Sequence, residues 1–241
     1  MSRPAAPDPA LVRQLVLANR ILYARGVVDG FGHVSVRHNS APGVFLLSRS
    51  RAPALVVESD IGCYDLQGEP LGEVQGNPYL ERFIHSEIYR VRPDVVAVVH
   101  SHSPSVIPFG ITGQRLRPVF HMSGFLGSGS AHFEIRDSAG ESDLLIRSPE
   151  LGKALASAMG NCACVLMRGH GSTVAGSSLE QAVYRAVYTE VNARLQAEAM
   201  KLGTVTYLTE TEGALAAASN DAQIGRAWAL WEHELGLSAP P

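Results

Sequence analysis

Short apolar strand segments in this sequence outnumber the helices available to cross over between them. That imbalance points to a mostly antiparallel sheet flanked by helices rather than a doubly wound parallel one. A Gly-rich turn (GVVDGFG) leads into alternating Val34 and Val36, and Val44–Leu47 reads as an antiparallel neighbour of that strand. Ser59–Asp65 is a further short strand with a turn at Gln67–Gly68, and Val95–His102 and Cys162–Met167 are apolar, β-branched-rich strands. Between Pro104 and Ser148 short strands are expected to alternate with Gly/Ser turns. Helical periodicity marks Asp8–Ala24, with Leu11, Leu15, Ala18 and Leu22 on one face. It also marks Asn77–Val91, stopped by Pro93, and Leu151–Met159. A long helix follows Ser178, which has capping-box spacing to Gln181 and apolar residues at Val183, Val187, Val191 and Leu195. A last helix over about Asp221–Leu235 carries Trp228 and Trp231. The fold class expected from this pattern is α/β, with helices flanking a mostly antiparallel central sheet.

The chain has 241 residues, 46% of them hydrophobic, which is enough to bury one large core. Residues 1–10 read as a short flexible arm and residues 11–241 as a single domain. The net charge of −3 argues against nucleic acid as a partner, because such partners call for a basic face. No apolar run approaches the roughly 20 residues needed to cross a bilayer, and the N-terminus lacks the apolar core of a signal peptide. Cys63, Cys162 and Cys164 are odd in number and include no CxxC pair. They read as reduced packing residues of a cytoplasmic protein.

The chemistry concentrates at AVVHSHS. Alternate residues of a strand point to one face, so His100 and His102 project together into one spot. That placement suits two metal ligands, and it suits two buried, hydrogen-bonded histidines. A third imidazole, His170, follows a buried strand and stands between two glycines in RGHG, where the backbone can turn sharply and approach a ligand. Glu81 precedes His85 by four residues, which puts both on one face of the expected helix. Catalytic zinc-type sites often use three protein donors and keep one position open. His100, His102 and His170 would supply the three, with Glu81 as general acid/base or a displaceable fourth ligand.

HVSVR, ERFIHSEIYRVRPDVVAVVHSHS and MRGHGSTVAG together resemble the class II aldolase/adducin family, over about Leu15 to Leu202. The resemblance implies a three-layer α/β/α sandwich around a mostly antiparallel central sheet, and a divalent metal on His100, His102 and His170, with Glu81 as acid/base. It also implies a homo-oligomer, a C4 tetramer with active sites at subunit interfaces. Where family aldolases form a phosphate cup from small hydroxyls and backbone N–H groups, this chain carries Gly32–His33, SRSRAP (Ser48–Pro53) and Tyr79–Leu80. An imidazole, guanidiniums and a phenol stand in for the cup. An Arg fork suits a carboxylate and a Tyr face suits a flat substrate, although Arg49 and Arg51 would also serve as solvated surface charges. SRSRAP, ERFIH, RGHG, TEVNARLQ and AWALWE resemble the decarboxylase branch, whose members act on hydroxypyridine dicarboxylates, dihydroxyphthalates and ring-cleavage products.

The resemblance therefore implies a carboxy-lyase acting on a small hydroxy-aromatic, hydroxypyridine or 2-hydroxymuconate-type carboxylate through a metal-stabilised enolate. One divalent ion per subunit is expected, Mn2+ by resemblance to that branch, with Zn2+, Fe2+ or Co2+ also compatible with three imidazoles. Glu81 or His33 would move the proton, and Ser48, Arg49, Arg51, Tyr79 and His121 would bind substrate. His121 also reads as a structural histidine, and Tyr184 and Tyr188, one helical turn apart, as core. An aldolase of an unphosphorylated hydroxy acid and an adducin-like interaction module are the alternatives. The catalytic tyrosine near the C-terminus of family aldolases has no clear counterpart, Tyr207 being a poor one.

Overall fold

The computed structural model describes residues 5–72 and 75–236. In chain order the elements are α1 (Pro9–Ala24), β1 (His33–Arg37), β2 (Val44–Ser48), β3 (Ile61–Asp65), α2 (Arg82–Val91), β4 (Ala97–Ser101), α3 (Ile107–Ile111) and β5 (Ala131–Phe133). They continue with α4 (Arg136–Ala139), α5 (Pro149–Met159), β6 (Cys164–Met167), β7 (Gly171–Gly176), α6 (Leu179–Leu202), α7 (Glu210–Asp221) and α8 (Ile224–Glu234). The sheet runs β3-β2-β1-β4-β7-β6-β5. Every pairing is antiparallel except β5 with β6.

Strand alternation divides the core in two. Val34, Val36, Ala97 and Val99 face a cluster built with α1, α6 and α8. Phe45, Leu47, Val98 and Val165 face a second cluster built with α2 and α5. The result is the expected α/β/α sandwich. Parity fixes where the polar residues go. His33 and Ser35 alternate with Val34 and Val36, and His100 alternates with Val99. All three therefore lie on the α2 side of the sheet. β1 and β4 pair with His33 opposite His100, and β4 and β7 pair with His100 opposite Thr173.

Several local expectations need correction. Helix α1 begins at Pro9, after Asp8 accepts the Ala10 N–H, so the arm is shorter than ten residues. Residues 1–4 of that arm lie outside those described. Helix α2 begins at Arg82 rather than at residue 77, with Glu81 as its N-cap. Pro104–Ser148 contains β5 as its only strand among the described residues. The extended stretch around Arg115–Val119 is paired by side chains instead of a strand. Buried Asn192 and Gln196 of α6 use their amides to bond Arg117 and Val119 N–H and the Arg115 and Arg117 carbonyls. In α6 the buried face drifts away from the four-residue spacing. Val183 and Val187 are buried, but Leu195 is 41% exposed. Each four-residue step advances about 40° at 3.6 residues per turn, so Asn192, Ala193 and Gln196 take over the inner face. Ser178 caps the Gln181 N–H as expected, whereas the Gln181 amide oxygen turns to Ser177.

β6 and β7 form a hairpin in which Met167 pairs with Gly171, so Arg168, Gly169 and His170 make the loop. Gly169 sits at φ +66°, and a Cβ on Gly171 would lie 2.1 Å from the Ser101 carbonyl oxygen. Gly171→Ala is therefore expected to push β7 off β4 and destabilise the fold by about 1–3 kcal/mol, as overpacking does. Thermal unfolding would show a drop of several degrees. An unchanged midpoint would mean the strands are not held that closely.

Candidate metal centre

Four side chains converge from three places in the fold: the C-terminal end of β4, the β6–β7 loop and the N-cap of α2. One donor atom from each of Glu81, His100, His102 and His170 lies within 4.8 Å of all the others. His102 Nε2 stands 3.3 Å from His100 Nε2 and 3.1 Å from His170 Nε2. Glu81 Oε2 is 3.6 Å from His100 Nε2 and 3.4 Å from His170 Nε2. The sequence placed Glu81 inside a helix with His85. Starting the helix at Arg82 instead frees the Glu81 side chain to turn towards the histidines, while its Oε1 accepts the Ile146 N–H at 2.9 Å.

Neighbouring groups fix the rings. His170 Nδ1–H donates to the Leu144 carbonyl at 2.9 Å, which leaves the Nε2 lone pair facing the cluster. Leu144 holds that carbonyl in place at φ 68°, the only positive φ of a non-glycine among the described residues. Such strain costs about 1–3 kcal/mol and is retained where the surroundings demand it. His100 Nδ1 lies 3.4 Å from the Thr173 hydroxyl on the neighbouring strand.

The electrostatics fit a cation. Burial alone pushes Glu81 up, but His100 and His170 pull its carboxyl down to about 2. Burial lowers His170, yet the Glu81 carboxylate outweighs it and leaves His170 above the ordinary histidine value. His100 is held far below that value by burial, and His102 is lowered by burial and then by His170. The His102 nitrogen thus faces those of His100 and His170 at contact distance, with one carboxylate between the latter two. Lone pairs so placed repel unless a positive centre sits among them. With Zn–N lengths of about 2.0–2.1 Å, tetrahedral donors lie about 3.3–3.4 Å apart, close to the separations seen. The donor set fits a divalent ion, and three imidazoles with a carboxylate do not select among zinc, manganese, iron and cobalt.

His33 is buried beside this cluster, its ring 5.0 Å from that of His100 and 4.4 Å from that of Tyr79. It is held far below its ordinary value, first by burial and then by neighbouring imidazoles. The Tyr79 hydroxyl donates to the Arg51 carbonyl at 2.5 Å, and buried Ser48 lies beside the same phenol. Arg49 and Arg51 are not free guanidiniums. Arg49 Nε and Arg51 Nη1 bind the two oxygens of Asp60 at 2.6 and 2.8 Å. Burial raises Asp60, but Arg49, the Val57 N–H and Arg51 together hold it below the usual carboxylate range. Two guanidiniums on one carboxylate keep a net positive charge and spare N–H donors, with both arginines about a third exposed. Asp60 was missed because an acid in a short polar stretch gives no sequence signal of what it pairs with. His121 is exposed in a short 3-10 segment, where its backbone carbonyl accepts from the Asn220 amide and its ring lies 6.2 Å from that of Phe120. The structure does not bring it into the group of Glu81 with the three histidines. Tyr184 is core, its ring tilted against that of partly buried Tyr188 at 4.5 Å.

Comparison with known proteins shows the family and the fold. The class II aldolase and adducin N-terminal domain matches residues 13–197. The chain is 38% identical over 253 residues to decarboxylase tropJ of Talaromyces stipitatus, covering 95% of each chain. It is 37% identical over 205 residues to 3,4-dihydroxyphthalate decarboxylase of Arthrobacter keyseri, covering 78% of each. In fold it matches L-fuculose 1-phosphate aldolase of Glaciozyma antarctica with a TM-score of 0.78 at 23% identity, over 94% of this chain and 90% of that one.

Proposed function

We propose that this chain, which belongs to the class II aldolase and adducin family, is a divalent-metal-dependent decarboxylase of a hydroxy-aromatic or related hydroxy carboxylic acid. The observation that carries the reading is the convergence of Glu81 with His100, His102 and His170 in a chain alike, along nearly its whole length, to a named decarboxylase. The cation, bound by the three histidines, would supply a Lewis acid for the oxyanion that builds up as the C–C bond breaks. Everything else falls to side chains. Glu81 starts as a carboxylate, takes the proton of the substrate's hydroxyl and returns it to the carbon that bears the carboxyl group. The C–C electron pair stays with the ring as CO2 departs, and solvent restores the hydroxyl proton. Tyr79 presents a flat face, and the Arg49–Asp60–Arg51 group presents net positive charge to a second carboxylate.

Turnover of ortho-hydroxy aromatic mono- and dicarboxylates with added Mn2+ and CO2 detection tests the reading. Release of an aldehyde or pyruvate instead of CO2 would establish the aldolase alternative. The arginines make a narrower prediction. Arg49→Ala or Arg51→Ala should lower kcat/KM for a dicarboxylate about tenfold or more, because a charged hydrogen bond is worth roughly 1.5–3 kcal/mol. The matching monocarboxylate should be affected much less, and Lys should rescue only in part, since a point charge cannot form the fork. Equal losses on both substrates would confine the arginines to holding Asp60.

The proposal includes a fourfold tetramer with sites at subunit interfaces. Large apolar side chains are exposed beside the cluster. Phe31 is 70% exposed with its ring 6.4 Å from that of His102, and Leu80 is 53% exposed next to Glu81. Light scattering that gave a monomer mass would remove this part. A cytoplasmic location is in keeping with Cys162 and Cys164, which form no disulfide. No described helix is long and apolar enough to cross a membrane.

A further inference from the structure

Behind His33 lies a row of polar groups that the chemistry above does not use. His33 Nδ1 is 2.6 Å from His85 Nε2, His85 Nδ1 is 2.6 Å from Ser35 Oγ, and Ser35 Oγ is 2.7 Å from the Tyr89 hydroxyl. All four residues are buried, none more than 3% exposed. The row comes from two matched repeats. Ser35 follows His33 by two residues on β1, and Tyr89 follows His85 by four on α2, so the strand face and the helix face meet in step.

Each of these contacts holds one proton between two atoms, so the row can be polarised in either of two directions. If protons point away from the site, Tyr89 must donate onward to the Val96 carbonyl, 3.4 Å away. If they point towards the site, Tyr89 donates to Ser35, Ser35 to His85 Nδ1, and His85 Nε2–H to His33 Nδ1. Every donor then sits in a contact of 2.6–2.7 Å. One neighbour favours that direction by drawing electron density from the phenol. The Arg37 guanidinium lies 4.7 Å from the centre of the Tyr89 ring. With Nδ1 accepting from His85, the proton of neutral His33 must sit on Nε2, the nitrogen left for the site.

The geometry points to Ser35, His85 and Tyr89 as positioning residues that hold His33 as an Nε2–H donor, so that His33 binds an anionic oxygen of the substrate and does not act as the base. The oxygen would be a carboxylate or a phenolate. That identification rests on the decarboxylase reading, whereas the tautomer does not.

Two-dimensional 1H–15N NMR of the imidazoles in the full-length, zinc-loaded protein tests the tautomer without any substrate. His33 and His85 are each expected to show a protonated Nε2 and an unprotonated Nδ1. Ser35→Ala should bring a protonated Nδ1 population to both rings, and Ser35→Thr, which keeps the hydroxyl, should restore the parent pattern. With a turned-over substrate, Ser35→Ala should raise KM about tenfold while bound zinc stays at the parent level and kcat falls less than KM rises. A parent protein with His33 protonated at Nδ1 and bare at Nε2 overturns the proposal. So does a Ser35→Ala protein whose two rings keep the parent signature. The expected NMR pattern with no CO2 from any hydroxy acid would leave the tautomer standing and remove only the decarboxylase reading.

Discussion

His170→Ala is expected to lose its divalent ion and its turnover together, and to remain folded. The imidazole supplies one of three nitrogens, and its loss leaves two histidines and a carboxylate that His170 itself helps to place. Bound metal should fall from about one equivalent per chain towards zero. Turnover should fall by roughly 10³-fold or more, since a Lewis acid contributes several kcal/mol of charge stabilisation in the transition state. Stability should change little, for a physical reason. His170 sits in the loop of the β6–β7 hairpin, outside both apolar clusters. In the metal-free protein its removal also relieves a 3.1 Å approach of two imidazole nitrogens. Elemental analysis and thermal unfolding of the metal-free variant give the two readings. Full metal occupancy with normal turnover would falsify the assignment of His170, and a collapsed midpoint would mean that its bond to the Leu144 carbonyl supports the fold.

What could be read from the residues alone follows the range of the interactions involved. His100 and His102 were legible because strand parity is a two-residue rule, and His170 because two glycines beside one imidazole mark a tight loop. β7 was not legible. GSTVAG offers one branched apolar residue, and the strand exists because β4 and β6 pair with it on both sides. Helix α7 carried a readable signal, Thr209 with Glu212 in a reciprocal cap, that an apolar stripe did not reinforce. Arg49 and Arg51 stand out in the sequence as substrate-binding candidates because SRSRAP replaces small hydroxyl residues. Their partner Asp60 lies beyond a turn whose geometry no periodicity predicts. The row behind His33 needed two registers at once, β1 in the sheet and α2 over it, and neither is visible without the fold. His121 reads as a pocket lining because it stands among aromatic and small residues, and the contact that places its segment against α7, the Asn220 amide on its backbone carbonyl, has no sequence signal.

Glu81→Gln should keep most of the metal and lose about 10²–10⁴-fold of turnover, the usual share of a general acid–base group. The amide has nearly the volume of the carboxylate, so the α2 N-cap and the bond from the Ile146 N–H can survive the change. Three imidazoles remain to hold the ion. What the amide cannot do is take a proton from a hydroxyl and hand it to carbon. The carboxyl is well suited to the first half of that task, because, against burial, His100 and His170 hold it below the usual carboxylate range and so ionised until substrate arrives. It is suited to the second half once bound substrate shields it further from water, because burial raises its affinity for the proton it now carries. Glu81→Asp should recover only part of the rate. The shorter side chain keeps the charge but draws it back from His100 and His170, now 3.6 and 3.4 Å away. Steady-state kinetics with metal content measured on the same samples distinguishes the roles. A Gln variant that lost its ion along with its rate would make Glu81 chiefly a ligand. One that turned over within a few-fold of the parent would move proton transfer to another group, and the neutral, relay-held His33 would then have to be the base after all.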